Sequence, residues 1–510
     1  MTKAVVIGAG MAGLTCAAYL AKAGCSVEVY EQSEVVGGVT RTMSQGGFSW
    51  DIGPLVVEAL GPKEAGGAVL RELGCADRVG LVPGDRSVSF PDFQVFRPPI
   101  YSGPYWRKDR LKELFPDQAP GIDRFYRLLD SVTDLVALDR KSSVTDGPAS
   151  FVLKLAMLMK FLPIKKYEKW SAELLMGHFF TDPKLIAIFT AILADLVVMP
   201  SEFIGLGIPY FNMECFTDSR IPSEGVLGLA PRISSSFVQG GVKNLSGPIA
   251  ERVGEMGGIV FTRSPVKKII TEGDRVRGVE LADKRIVQAD LVLVSGGARE
   301  CFFSLIGRDR LPAEFAAKID DVPLMESVFM VQLGLTVDPI RHQERTLVYY
   351  YNTYDIQGSV REIREGHYHE GKDGFLIFIN SMHSDTMAPK GMHSVTIYTV
   401  APNKIEGGWG GRRAEMADKL LIEAERIIPG LRRHTKVMLT LTPDDFKRIA
   451  HTPQHHSFGG LCPIMGKTGV PHSTPYRGLW FIGSQSESGG GVTTQILSAR
   501  KVVKKIRKER

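Results

Sequence analysis

The first residues of the chain carry the pattern of a phosphate-binding turn. Residues 8–13 read GAGMAG, between an apolar run at 4–7 and a helix-like segment at 14–20. The first glycine allows a tight turn, the second lets the backbone approach a pyrophosphate, and the third lets helix and strand pack closely. Residues 26–30 form a second apolar run that ends in Glu31, whose carboxylate suits two ribose hydroxyls and repels a 2′-phosphate. The pattern therefore predicts a dinucleotide at a helix N-terminus. The predicted contacts of this turn are Gly8, Gly10, Met11, Ala12, Gly13 and Glu31.

The segment after the acid distinguishes between dinucleotides. Gly37 and Gly38 are followed by Arg41, and residues 50–54 read WDIGP. A nicotinamide-binding unit has no need for a glycine pair and an arginine at this place. The segment resembles the FAD-containing amine oxidase and phytoene desaturase superfamily, whose pattern is GGxxRT followed by a D-x-G-P turn. The resemblance implies that Gly37, Gly38 and Arg41 lie along the FAD diphosphate and the flavin.

A second glycine-rich unit lies near the C-terminal end of the sequence. Residues 479–483 read as a strand that ends in glycine, residues 484–491 as a loop of small residues, and residues 492–506 as a helix. This unit resembles the C-terminal motif of phytoene desaturases, which holds the flavin end of FAD. The resemblance implies flavin contacts from Gly483, Gly491 and Val492.

The same loop departs from the family pattern at several positions. Ser484 and Gln485 stand where small residues are usual, and Glu487 and Ser488 stand where His-Pro is common. The departures leave the cofactor prediction intact and weaken the prediction of the family's usual substrate. By its loop position Glu487 should reach the isoalloxazine, where a buried carboxylate has a raised pKa and acts as acid or base. The alternative is a loop glutamate that faces solvent or pairs with an arginine.

A third block lies between the two glycine-rich units. Residues 240–245 read GGVKNL, a helix is predicted at 246–256, and residues 290–298 form a return strand. This order resembles the GGxxxL helix and the return strand of the same family, and it implies a backbone contact from Val266 to adenine. The sequence is thus similar to the phytoene desaturase, carotenoid isomerase and retinol saturase branch. The FAD is expected to be non-covalent, since no histidine or cysteine stands in the context of a flavin tether.

The resemblance and the element pattern together predict an α/β fold: a Rossmann-like FAD-binding domain with an inserted α+β substrate domain and a helical subdomain. The FAD-binding domain is expected at residues 1–60, 225–300 and 475–510, a mainly helical subdomain at 61–224 and a mixed substrate domain at 301–474. The predicted helices of the two inserted regions are 107–114, 121–135, 184–199 and 412–428. The predicted strands are 326–336, 346–351, 374–381 and 393–400.

The composition is typical of a large soluble enzyme. Of 510 residues, 44% are hydrophobic and 23% charged, which excludes a disordered chain. The formal net charge of +6 does not indicate a nucleic-acid partner, and the six cysteines form neither a CxxC pair nor a metal-ligand spacing, so no metal is predicted. The first strand begins at residue 3 and leaves no room for a signal peptide, so we expect a cytoplasmic protein. The oligomeric state is left open.

Two segments raise the question of contact with a membrane surface. Residues 151–163 are strongly apolar but too short to span a bilayer, and they contain Lys154 and Lys160. They fit either a helix at a membrane interface or a helix of the core or substrate channel. The tail at 501–510 is basic, which suits both an anionic membrane and an ordinary helix C-terminus.

The chemistry implied by the resemblance is hydrogen transfer between a C–C bond and flavin N5, since FAD carries the redox step. The expected substrate is lipophilic, an isoprenoid or polyene. His455 and His456 fall in a segment that approaches the substrate in this family, but a histidine pair at the surface is the favoured interpretation. Aromatic residues of the inserted regions are either core or the lining of a long apolar cavity, and most are expected in the core. They are Phe179, Phe180, Phe189, Phe203, Tyr210, Phe211, Phe216, Phe329, Tyr349, Tyr350, Tyr351 and Phe375.

Three alternatives stay open at this point. The first is a desaturase of a smaller cyclic ketone or acid, and the second is an amine oxidase of the same superfamily. The third is a non-enzymatic prenyl-binding relative such as the Rab-escort proteins. Complete flavin motifs at both ends argue against the third, and the absence of a compelling aromatic-cage pattern near the C-terminal motif argues against the second. The substrate itself, the direction of hydrogen transfer and the electron acceptor are not predicted.

Overall fold

The structure is a computed structural model that describes residues 1–221, 226–452 and 460–509. The strands of these described residues are β1 (Lys3–Ile7), β2 (Ser26–Tyr30), β3 (Thr42–Gln45), β4 (Phe48–Asp51), β5 (Val57–Glu58), β6 (Leu81–Pro83), β7 (Ser87–Ser89), β8 (Gln94–Val95), β9 (Ser235–Val238), β10 (Ile259–Phe261), β11 (Val266–Glu272), β12 (Arg275–Leu281), β13 (Ile286–Gln288), β14 (Leu291–Ser295), β15 (Ser327–Leu335), β16 (Leu347–Tyr351), β17 (Gly374–Ile379), β18 (His393–Ala401), β19 (Thr435–Leu441) and β20 (Leu479–Ile482).

The α-helices of the same residues are α1 (Met11–Lys22), α2 (Ala65–Leu73), α3 (Trp106–Leu114), α4 (Ala119–Ser143), α5 (Pro148–Phe161), α6 (Ala172–Phe179), α7 (Pro183–Thr190), α8 (Ile192–Leu196), α9 (Gly207–Phe211), α10 (Glu214–Thr217), α11 (Lys243–Glu255), α12 (Ala313–Asp320), α13 (Ile356–Arg364), α14 (Asn380–His383), α15 (Arg413–Glu425), α16 (Pro443–Ala450) and α17 (Val492–Lys508). Among the helices in the described part of the chain, none is long and apolar enough to cross a membrane.

A five-stranded parallel sheet organises the two ends of the chain. Its strand order is β10-β2-β1-β14-β20, so strands from the beginning, the middle and the end of the sequence lie side by side. Helix α1 packs against both α11 and α17. This is the predicted Rossmann-like unit, built from three separate stretches of sequence. The boundaries of the predicted domains stay a prediction.

A seven-stranded sheet forms the second layer, with the order β19-β15-β18-β17-β16-β7-β8. Most neighbours pair antiparallel, but β7 pairs parallel to β16. Its residues Tyr349, Leu376 and Tyr398 are direct neighbours across β16, β17 and β18, so their side chains share one face. Strands β6 to β8 come from the region predicted as mainly helical, which therefore also contributes to this sheet and to a small one with β9.

The helical layer differs in detail from the predicted elements. The helix expected at 184–199 consists of two helices, α7 and α8. Helix α8 ends because Val197 adopts φ 52°, a left-handed conformation that closes the last turn. Helix α4 is longer than expected, since its buried positions continue to Leu138. Phe125, Phe180 and Phe189 lie in the core of this layer.

Candidate functional site

One cavity of about 1610 Å³ connects the parallel sheet with the large mixed sheet. It begins at the carboxyl ends of β1 and β2, where ligands of open α/β sheets usually bind. It continues past Gly483 and Gly491 and reaches Tyr349 and Tyr398 on the large sheet. Both glycine-rich units therefore face the same space.

The first turn has the geometry of a phosphate cradle. Gly8 has φ +93°, and a Cβ on Gly13 would lie 2.0 Å from the carbonyl oxygen of Gly8. A Cβ on Gly10 would meet nothing within 4 Å, although Gly10 is the N-cap of α1. The space beside Gly10 belongs to the cavity, which Met11 and Ala12 also line. Gly13 serves helix packing and Gly10 leaves room for a ligand at the N-terminus of α1.

Glu31 closes the outer side of this turn. Only 6% of the residue is exposed, and it lines the cavity. Its Oε2 accepts a hydrogen bond from the Ala9 N–H at 2.8 Å, and its Oε1 accepts one from the Ser33 N–H at 2.7 Å. The carboxylate is thereby fixed in orientation, and each of its oxygens retains a lone pair for a further donor. Val266, the first residue of β11, lines the same end.

The glycine pair lies against the first turn. The Gly37 N–H donates to the Ala9 carbonyl oxygen at 2.8 Å, and a Cβ on Gly38 would approach Gly10 Cα to 3.4 Å. Both glycines have positive φ and line the cavity. Arg41 does not line it: its Nε donates to the Gly38 carbonyl oxygen at 2.8 Å. Burial lowers the pKa of Arg41, opposed by the nearby Glu31 carboxylate. Arg41 thus contacts the glycine backbone and, through Nη2, the Ser33 hydroxyl at 3.5 Å, and its flavin contact stays a prediction.

The C-terminal unit brings a second helix N-terminus to the cavity. Gly491 is the N-cap of α17 with φ +98°, and it lines the cavity together with Gly483 and Val492. Gln485 is buried, and its Oε1 accepts a hydrogen bond from the Ala298 N–H at 2.7 Å. This departure from the family pattern therefore fastens the loop to the end of β14.

Glu487 lies elsewhere than expected. It is exposed and does not line the cavity. Its N–H donates to the Val470 carbonyl oxygen at 2.8 Å, and its Oε1 accepts from the His472 N–H at 3.1 Å. Pairing with residues 470–472 turns the side chain outward, so the expectation of a buried carboxylate is wrong. His455 and His456 lie outside the described residues.

The far end of the cavity is apolar with two phenols. Leu196, Phe211 and Met325 line it together with Tyr349 and Tyr398. Of the aromatic residues considered from the sequence, Phe211 and Tyr349 line the cavity. Phe179, Phe180, Phe189 and Phe203 lie in the helical core, and Phe329, Tyr350 and Phe375 lie in the core of the large sheet. The alternation of Tyr349 and Tyr351 in β16 signals one shared face.

A carboxyl group near this end was not predicted from the sequence. The Tyr351 hydroxyl donates to Oδ2 of Asp195 at 2.5 Å. Burial raises the pKa of Asp195 to about 7, against the lowering effects of the Tyr351 hydrogen bond and the Arg86 charge. Asp195 sits in an apolar helical segment, and its partners come from distant strands, so no local pattern marks it.

The sequence pattern of one family, described as flavin containing amine oxidoreductase, matches residues 11–507. The chain belongs to this family. It is therefore a flavin-dependent oxidoreductase, and the expected flavin cofactor is confirmed. The predicted α/β fold class is confirmed as well.

Curated relatives cover nearly the whole chain. Mouse pyridine nucleotide-disulfide oxidoreductase domain-containing protein 2 is 25% identical, over 96% of this chain and 90% of its own length. The lycopene-forming phytoene desaturase of Paracoccus is also 25% identical, over 98% and 95%. The zeta-carotene-forming phytoene desaturase of Myxococcus xanthus is 24% identical, over 98% and 93%. The predicted similarity to the phytoene desaturase branch of the family is confirmed.

Solved structures share the fold at lower identity. An oxidoreductase from Methanosarcina mazei is 18% identical with a TM-score of 0.62, covering 98% of this chain and 100% of its own. Cyclohexylamine oxidase from Brevibacterium oxydans is 16% identical with a TM-score of 0.59, covering 100% and 99%. These likenesses bear on the family fold alone.

Proposed function

We propose that this family member binds FAD non-covalently and transfers hydrogen to or from a C–C bond of a lipophilic isoprenoid or polyene. The observation that carries the proposal is the single cavity that joins both dinucleotide motifs to an apolar end. The phytoene and diapophytoene desaturases among the relatives act on substrates of this class, as their names state. The same relatives favour this reaction over amine oxidation.

The residues of the cavity fit FAD part by part. Glu31 suits the ribose hydroxyls, and Val266 suits the adenine. The open space beside Gly10 suits the diphosphate, where the N-terminus of α1 favours negative charge. Gly491 and Val492 at the N-terminus of α17 suit the flavin end. When bound, FAD supplies the two-electron acceptor or donor of the reaction.

The residues at the far end exclude water and orient an apolar chain. Leu55, Leu196, Phe211 and Met325 offer hydrocarbon and aromatic surface, which stabilises a bound polyene by about 25 cal/mol per Å² removed from water. A cationic amine would meet few partners on these side chains. A long uncharged substrate is therefore the better fit.

The proposal is tested first by cofactor content. Purified protein is expected to be yellow with about one FAD per chain, and acid denaturation should release all flavin into the supernatant because no covalent bond holds it. The protein is then mixed anaerobically with phytoene, retinol, a steroid ketone or an amine. The compound that bleaches the flavin identifies the substrate class. Bleaching by the amine alone would replace this proposal with amine oxidation.

We also propose that the protein docks on a membrane surface through α5. This helix buries Leu153 and Ala156 against its neighbours and turns its other side to solvent. The exposed side chains include Phe151 at 70% and Met159 at 57%. The large apolar side chains of this face are Phe151, Val152, Leu155, Leu158 and Met159, and Leu162 directly follows the helix. An apolar face of this kind suits insertion into the interface of a bilayer.

Basic side chains flank that face and favour an anionic bilayer. Lys165, Lys166 and Lys169 follow the helix and are exposed. Each lysine near the surface contributes about 1 kcal/mol with anionic lipid, and the effect fades with salt. The C-terminal tail supports the proposal less, because Lys504 pairs with Asp146.

The membrane proposal is tested by vesicle flotation with phosphatidylcholine alone and with added phosphatidylglycerol. The double variant Leu155→Glu, Leu158→Glu is expected to lose flotation while retaining its FAD. The matched control is Ile259→Glu, Ile286→Glu, because these isoleucines are 51% and 66% exposed on strands elsewhere. Equal flotation of both variants would contradict docking through α5.

A further inference from the structure

A carboxyl group lies directly behind the apolar end of the cavity. Asp195 is on α8, next to Leu196, which lines the cavity. The Tyr351 hydroxyl donates to its Oδ2 at 2.5 Å. Asp195 is half-buried, and the positive charge of Arg86 lowers its pKa. The Nη2 of Arg86 donates to the Phe211 carbonyl oxygen at 2.6 Å.

Two phenols that feel the charge of this carboxyl line the cavity. Tyr349 and Tyr398 both line the cavity and are hydrogen-bond partners of one another. The Tyr349 and Tyr351 rings are stacked with centroids 6.1 Å apart. The charge of Asp195 acts on all three tyrosines. The carboxyl and the phenols therefore form one electrostatic cluster.

The groups of this cluster have different pKa values. Burial raises the pKa of Tyr349 to about 12, and the pKa values of Tyr351 and Tyr398 lie well above the ordinary value of tyrosine for the same reason. The carboxyl of Asp195, with a pKa of about 7, is thus the member that exchanges a proton near neutral pH.

Other charged groups near α8 are paired elsewhere. Helix α13 brings Arg364, which pairs with Glu202 at 2.7 Å and donates to the Val197 carbonyl oxygen at 3.2 Å. Helix α7 brings Lys184, which pairs with Asp92. Strand β18 contributes Tyr398 and strand β16 the other two tyrosines. The proton affinity of Asp195 is therefore raised by burial and lowered by the Tyr351 hydrogen bond and the Arg86 charge.

We propose that Asp195 is the proton acceptor for desaturation, reached from the substrate through the Tyr349–Tyr398 pair, an inference that rests on the proposed function. One C–H bond of the substrate would break, and its hydrogen would leave with both electrons, for which bound FAD would be the acceptor. The neighbouring C–H bond breaks, its electron pair becomes the second bond of the C=C, and its proton passes to the Asp195 carboxylate. In the reverse direction neutral Asp195 returns that proton. Tyr351 positions the carboxylate.

The test measures how the rate of flavin reduction depends on pH in the anaerobic FAD-bound enzyme. The substrate is the compound that bleaches the flavin in the panel described above. Wild-type reduction should speed up with pH through about 7, because only the carboxylate accepts a proton. Asp195→Asn should slow it by roughly 100-fold and remove the inflection. Asp195→Glu should restore an inflection, and Tyr351→Phe should shift it upward because a stabilising hydrogen bond is lost.

The matched control is Glu214→Gln. Burial also raises the pKa of Glu214 to about 7, and the Tyr126 hydroxyl donates to its Oε1 at 3.0 Å. Neither Tyr126 nor the chain neighbours of Glu214 line the cavity, whereas Leu196 beside Asp195 does. This variant should keep the rate and the profile.

An infrared pH titration of substrate-free enzyme supplies a second readout, in which Asp195→Asn should delete a carboxyl band that titrates near pH 7. If no lipophilic compound of the panel reduces the flavin of the wild-type enzyme, the proposed function itself is overturned. A normal profile in Asp195→Asn would overturn this inference alone.

Discussion

Alanine substitutions at Gly10 and Gly13 separate cofactor binding from helix packing within one turn. At Gly10 the backbone has φ −73° and ψ 176°, which alanine adopts freely, and a Cβ meets nothing within 4 Å. At Gly13 a Cβ would lie 2.0 Å from the Gly8 carbonyl oxygen, a rigid backbone atom. The same substitution therefore fills ligand space at one position and collides with the protein at the other.

The expected magnitudes follow from these two environments. Gly13→Ala must displace backbone by more than 1 Å, and overpacking of this kind costs roughly 3 kcal/mol of folding stability. Gly10→Ala should change the stability of the apoprotein by less than about 1 kcal/mol. Its methyl group should weaken FAD binding by roughly 10- to 100-fold, which corresponds to one lost charge-assisted hydrogen bond to the diphosphate.

Two assays measure the pair. Urea unfolding of apoprotein gives the free energy of unfolding, and fluorescence titration with FAD gives the Kd. Undiminished FAD affinity in Gly10→Ala would refute the placement of the diphosphate across this turn. Unchanged stability of Gly13→Ala would refute the close approach of α1 to the turn.

Three further predictions concern other parts of the cavity and its surroundings. Glu31→Ala should weaken FAD binding by at least about 10-fold in the same titration, with Glu31→Gln in between, because one oxygen acceptor remains. Asp195→Asn should raise stability relative to wild type increasingly between about pH 4 and 7. Because the pKa of Asp195 is raised in the folded state, its contribution to the free energy of unfolding is fully present below about pH 4. That contribution is lost as the pH rises to about 7, a difference of at most ~4 kcal/mol in urea unfolding. Lys504→Ala, which removes a surface pair with Asp146, should cost less than ~1 kcal/mol and leave vesicle flotation unchanged.

The parts of the site that sequence analysis predicted are those that local geometry dictates. The turn at residues 8–13 must contain its glycines whatever the rest of the fold does, because Gly8 has positive φ and Gly13 touches Gly8. Glu31 follows a strand whose end is fixed by that turn. The same reasoning holds at Gly491, where a helix begins beside the cavity. Motifs of this kind carry their structure within a few residues.

The parts that were missed depend on contacts between distant segments. Glu487 turns outward because Val470 and His472 pair with its backbone and carboxylate. Asp195 gains its environment from β16 and β18, more than 150 positions further along the chain in the case of Tyr351. A sequence shows neither pairing, since each depends on where another segment of the chain lies after folding.

The electrostatic environment differs between the two ends of the cavity, which neither motif shows alone. The N-termini of α1 and α17 both face it, and each carries partial positive charge that favours negative charge on a ligand. Asp195 and its phenols lie at the other end, behind apolar side chains such as Leu196. Hydride transfer separates charge, because electrons move to the cofactor while a proton leaves the substrate. In the proposed reaction the helix N-termini would favour negative charge on the cofactor, and the Asp195 carboxylate would accept the proton at the opposite end.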